Sequence, residues 1–117
     1  MKLIGFGCSF TYGSELLDPS IPVLSPKGEL WDRHVQNTQY REKHVWLGQL
    51  AERLNCNYLN LAEPACSNYA ISHIFYNWLT TNDHQDCVVC VAWTSADRMS
   101  WWHDDKWVHD GFIRNEQ

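Results

Sequence analysis

Apolar residues fall in two kinds of run along this chain. Three runs are short and nearly continuous: Lys2–Gly7 (KLIGFG), Asn57–Leu61 (NYLNL) and Cys87–Trp93 (CVVCVAW). The weak alternation within them predicts strands covered on both faces, as in a parallel sheet. Two longer runs repeat at helical spacing. In His44–Leu54 the apolar positions are Val45, Trp46, Leu50 and Leu54; in Asn68–Thr80 they are Ile71, Ile74, Phe75 and Trp78. Both read as amphipathic helices. Strand, helix, strand, helix, strand is an α/β order, with right-handed crossovers expected.

Two stretches escape this pattern. Leu17–Arg41 is polar and carries Pro19, Pro22, Pro26 and Gly28. It is long for a loop, and long surface loops are often functional. Residues 99–114, MSWWHDDKWVHDGFIR, interleave aromatic and acidic side chains and read as an extended segment or hairpin. No further helix–strand unit follows, so the pattern amounts to about three of the five or more strands of a doubly wound domain. At 117 residues the chain has room for one domain, and it contains no internal repeat.

Composition narrows the function classes. Apolar residues make up 44% and charged residues 20%, which argues against disorder. A net charge of -5 gives no electrostatic footprint for nucleic acid or an anionic membrane. No apolar stretch approaches membrane-spanning length, and the sequence enters its first strand without a leader-like segment. The five cysteines are scattered, and free thiols in a reduced, cytoplasmic setting are the simplest reading. Cys87-x-x-Cys90, with His84 nearby, raises zinc. Positions three apart on a strand face opposite sides of a sheet, so buried thiols are expected there and no metal or cofactor is assigned. The seven tryptophans divide in two. Trp46 and Trp78 sit at core-compatible helical positions. Trp101, Trp102 and Trp107 cluster in the terminal segment, where they either cover the sheet edge left by the third strand or support self-association through it.

The chemistry concentrates where ligands bind open α/β sheets, beyond the carboxyl ends of the strands. The loops there are Gly7–Gly13, Ala62–Asn68 and Trp93–Arg98, all rich in small and hydroxyl residues. A serine ending the first strand and opening a helix would lie among backbone N–H groups that favour an oxyanion. The blocks in these loops resemble those of the SGNH (GDSL-type) hydrolase superfamily, in the divergent branch common in bacteriophage genomes. Gly7-Cys8-Ser9-Phe10-Thr11-Tyr12-Gly13 matches G-D-S-F-T-x-G with one change. Asn60-Leu61-Ala62-Glu63-Pro64-Ala65-Cys66-Ser67-Asn68 resembles N-x-A-x-x-G-x-S-N, and Ala92-Trp93-Thr94-Ser95 falls where G-x-N-D is usual. The likeness covers most of residues 2–98.

That resemblance implies ester hydrolysis by an activated serine. Ser9 would be the nucleophile and one backbone oxyanion donor, with the Ala65 N–H and the Thr94 side chain as the others. Asn68, Ser67, Trp93 and Arg98 would meet the substrate, Arg98 either clamping a carboxylate or pairing with an acidic neighbour. The family's Asp-x-x-His base is missing. The nearest substitutes are Asp105 and His109, with three residues between them rather than two, for which a solvated turn is the alternative reading. His34 and His44 lie near the long first loop, and His73 reads as a partly exposed helical residue. Cys8 stands for the family Asp, Ala65 for a Gly and Thr94 for an Asn; a positive φ at Ala65 would carry strain.

The expectation is a flavodoxin-like three-layer α/β/α sandwich, strand order 2-1-3, matching the N-terminal part of an SGNH hydrolase without its last strands. Its substrate would be a small-molecule or carbohydrate ester, acyl or O-acetyl. The alternative is a catalytically inactive, shortened SGNH fold kept as a binding, inhibitory or assembly module, phage-encoded and able to form a homo-oligomer. A nucleotide-binding flavodoxin-like domain is a weaker third reading, because the first loop lacks G-x-G-x-x-G spacing.

Overall fold

The computed structural model describes residues 1–14, 16–20 and 37–110, with Asp110 described by its backbone alone. Three parallel strands, β1 (Lys2–Phe6), β2 (Asn57–Asn60) and β3 (Cys87–Val91), form a sheet of order β2-β1-β3. The central strand is apolar on both faces for a physical reason: both are covered. Ile4 and Phe6 face one layer, where α4 (Asn68–Thr81) contributes Ala70, Ile71 and Trp78. Leu3 faces the other, with Val45, Leu47 and Ala51. The ring of Phe6 meets Phe75 and Trp78 edge-on, at centroid distances of 5.1 and 5.9 Å.

Cys87 and Cys90 divide between these two cores, so the strand does turn the two thiols to opposite faces of the sheet. All five cysteines are free. No helix among the described residues is long and apolar enough to cross a membrane.

The helix expected over residues 44–54 is broken. α2 (Thr38–His44) and α3 (Trp46–Arg53) meet at Val45, whose extended backbone (φ -64°, ψ 151°) ends one and starts the other. Val45 is buried there, so tertiary packing overrides local periodicity. Gly48 on α3 sits so close to α2 that any Cβ would collide with the Glu42 carbonyl oxygen. The break also corrects the reading of Trp46. It is 39% exposed at the start of α3, held by a hydrogen bond from its Nε1 to Thr11 Oγ1 at 3.2 Å. Trp78 is buried, as its spacing predicts.

The terminal segment is a hairpin of β4 (Met99–His103) and β5 (Lys106–Asp110), paired antiparallel with Ser100 opposite His109. Its turn is made by Asp104 and Asp105, both in the left-handed region. The hairpin forms its own sheet and adds no strand to β3. Its aromatic side chains therefore do not extend the parallel sheet: Trp101 and Trp102 are exposed, and Trp107 packs beside α4 against Tyr69.

Candidate active site

Parallel pairing brings the carboxyl ends of β1, β2 and β3 to one edge, where backbone bonds lock the following loops together. The Leu61 N–H donates to the Gly5 carbonyl, Glu63 N–H to Gly7 and Ala92 N–H to Phe6, at 2.8, 3.1 and 2.9 Å. This crowding explains Gly7. A Cβ there would stand 2.5 Å from Thr11 Oγ1 and 3.2 Å from the Ala92 carbonyl oxygen. Asn60 joins the first two loops: its Nδ2 donates to the Thr11 carbonyl at 2.6 Å and its Oδ1 accepts from the Ala62 N–H at 3.1 Å.

Ser9 begins α1 (Ser9–Tyr12), a single turn. Its Oγ accepts from the Ala65 N–H at 3.5 Å, across 56 residues of sequence. Ala65 has φ 62°, the left-handed conformation that turns its N–H toward Ser9. Cys66 N–H closes the same turn onto the Glu63 carbonyl at 3.3 Å.

In the third loop Asn68 holds the backbone of Thr94 at both ends. Its Nδ2 donates to the Thr94 carbonyl at 3.0 Å and its Oδ1 accepts from the Thr94 N–H at 2.8 Å. The Thr94 side chain hydrogen-bonds the Cys8 thiol. Burial pushes that thiol up, but the Thr94 bond, the Phe10 and Ser9 backbone and the Arg98 charge outweigh it and leave it below the ordinary thiol range. Arg98 is partly buried, and its Nε and Nη1 have no partner among the described residues. Burial, reinforced by the Glu63 carboxylate, pushes Cys66 up to about 12.

Beside the second loop lies a connected polar chain. Ser100 Oγ accepts from the Ser67 N–H at 3.1 Å and sits 2.7 Å from His109 Nδ1; His109 Nε2 sits 2.6 Å from Glu63 Oε2. The His109 side chain is 12% exposed, which replaces the solvated-turn reading with an inward-facing imidazole. A cleft of about 680 Å³ opens next to it, lined by Glu63, Tyr69, His73, Trp102, Lys106 and Trp107 among others.

The residues expected to act together are thus only partly assembled. Ser9 and Ala65 meet, and Thr94 reaches their neighbour Cys8. His109 and Asp105 do not meet: both imidazole nitrogens are engaged elsewhere, and Asp105 lies exposed in the hairpin turn. Asn68 braces the third loop. Ser67 caps α4, its Oγ accepting from the Ala70 N–H at 3.2 Å. Trp93 is 61% exposed, and Arg98 makes no ion pair among the described residues. His44 and His73 are exposed and lie against Tyr40 and Tyr69 respectively, while His34 lies outside the described residues. Sequence reasoning missed Glu63, Cys66 and Ser100. Glu63-x-x-Cys66 is a visible ligand-like spacing, but its link to His109 needs the hairpin fold. No protein-family model, curated protein or solved structure matches the chain.

Proposed function

We propose that this chain is a serine ester hydrolase of SGNH type, acting on acyl or O-acetyl esters and built on a flavodoxin-like three-layer sandwich. Helices on both faces of the parallel sheet support the fold. One observation carries the function: the Ala65 N–H, turned by a positive φ, points at Ser9 Oγ at the carboxyl edge of the sheet. An N–H fixed beside the nucleophile can stabilise the charge that develops as Ser9 attacks an ester carbonyl. The cleft with Tyr69, Trp102 and Trp107 offers flat aromatic faces suited to a carbohydrate carrying the ester.

Among the described residues no imidazole hydrogen-bonds Ser9, so turnover rests on positioning and oxyanion stabilisation. One such donor is worth about 10²–10³ in the rate at which a serine attacks. We therefore expect slow hydrolysis of p-nitrophenyl acetate, falling to background in Ser9→Ala. Equal rates in the two proteins would sink the proposal. The same observation on His109 favours a second reading, a catalytically inactive SGNH-fold module that binds its ligand through these loops. Ligand binding without turnover is the result that selects it.

A further inference from the structure

Glu63, Cys66 and His109 each present one donor atom, and the three atoms lie within 4.8 Å of one another. Glu63 and Cys66 occupy the ends of a tight turn closed by the Cys66 N–H and bent by Ala65, which brings both donors to one side. His109 arrives from β5, 46 residues beyond Glu63. Ligands at about 2.0–2.3 Å from a tetrahedral metal stand roughly 3.3–3.8 Å apart. The three atoms lie within 4.8 Å, so binding would part Glu63 and His109 from their 2.6 Å contact and settle the donors, Cys66 included, at that spacing.

The surroundings of His109 favour a ligand. A ligating histidine uses one ring nitrogen and gives the other to a fixed acceptor. Ser100 Oγ can serve as that acceptor: it lies 2.7 Å from Nδ1 and is held in place by the Ser67 N–H. With Nδ1 protonated, Nε2 turns its lone pair toward Glu63 and Cys66.

We propose that Glu63, Cys66 and His109 form a zinc site with three protein ligands, one position left to solvent, and Ser100 positioning the imidazole. Thiolate, imidazole and carboxylate together suit Zn²⁺, and Co²⁺ as its spectroscopic substitute. The metal would tie the β4–β5 hairpin to the turn that carries Ala65. The inference stands apart from the ester-hydrolase reading, since it needs no turnover.

The test uses the full chain, freed of metal by a chelator and titrated with Co²⁺ and then with Zn²⁺. We expect one Co²⁺ per chain, visible ligand-field bands of tetrahedral intensity, and a thiolate-to-cobalt charge-transfer band. Zn²⁺ should displace the cobalt. Cys66→Ser should remove the charge-transfer band. Glu63→Gln, at a side chain 44% exposed and so tolerant of substitution, and His109→Gln should each weaken binding at least tenfold. Ser100→Ala should weaken it about 10–100-fold while the charge-transfer band remains. Cys87→Ala should change nothing. Absence of a charge-transfer band in the unmutated chain overturns the proposal. So does undiminished affinity in Glu63→Gln, or a band that survives Cys66→Ser but disappears in Cys87→Ala.

Discussion

Ala65 holds its methyl group at φ 62°, in a region that costs an L-residue roughly 1–2 kcal/mol. The motif made this position suspect, because the resembling family carries Gly there, and the structure places it in the left-handed region. Ala65→Gly removes that strain but gives the unfolded chain more freedom, worth about 0.5–1 kcal/mol. We expect a net gain of up to about 1 kcal/mol, read as a higher urea midpoint at unchanged slope. Ala65→Val should lower the midpoint. Tyr58 was legible as a strand residue, but its titration was not, because the cause lies in α2. Its hydroxyl donates to the Glu42 carbonyl oxygen. Burial first, then the Glu42 charge, push the phenol up to about 12. The folded state therefore keeps a proton that the unfolded chain has lost. This contribution is complete below the unfolded value, near pH 10, and is lost as pH rises toward 12. Cys66, also raised to about 12, acts in the same direction from about pH 9. Urea midpoints in metal-free protein should fall between pH 9 and 11, less steeply in Tyr58→Phe. A flat profile would contradict this.

Strands were the most legible elements, since each is a compact apolar run, and the sheet order β2-β1-β3 is the one expected of a flavodoxin-like fold. α4 was nearly as clear, lengthened by one residue to Thr81. The α2–α3 break was not legible. Periodicity reports which side chains face the core, and Val45 does face it; the extended backbone that places it there is imposed by contact with Leu3 and Leu47. Gly48 is the price of that junction, allowing the start of α3 to lie against the last turn of α2. Gly48→Ala should destabilise the fold by about 1–3 kcal/mol through overpacking against backbone that cannot rotate away. Thermal unfolding measures it, and an unchanged Tm would mean that α2 can shift. The hairpin was legible as extended structure with a turn at its acidic residues. That its strands would stand apart from β3 was not, because docking through His109, Ser100 and Ser67 depends on residues far apart in sequence.

Across the whole molecule, the site is made by long-range closure. Ser9 and Ala65 are 56 residues apart, Ser67 and Ser100 are 33, and Glu63 and His109 are 46. The resemblance to the SGNH blocks pointed to the first pair, and each of those blocks ends a strand of the same parallel sheet. They did not locate the partner of His109, because a hairpin can dock at many angles and one sequence does not choose among them. The imidazole expected as base is engaged by Glu63 and Ser100, which leaves Ser9 Oγ with the Ala65 N–H as its hydrogen-bond partner. The most direct measurement of the central claim is the intact mass of the chain after incubation with a p-nitrophenyl phosphonate, which phosphonylates a nucleophilic serine and releases p-nitrophenol. We predict a single adduct per chain, mapped to the peptide containing Ser9, absent from Ser9→Ala and retained in Ser100→Ala. No adduct, or an adduct carried equally by Ser9→Ala, would contradict the assignment of Ser9 as the nucleophile.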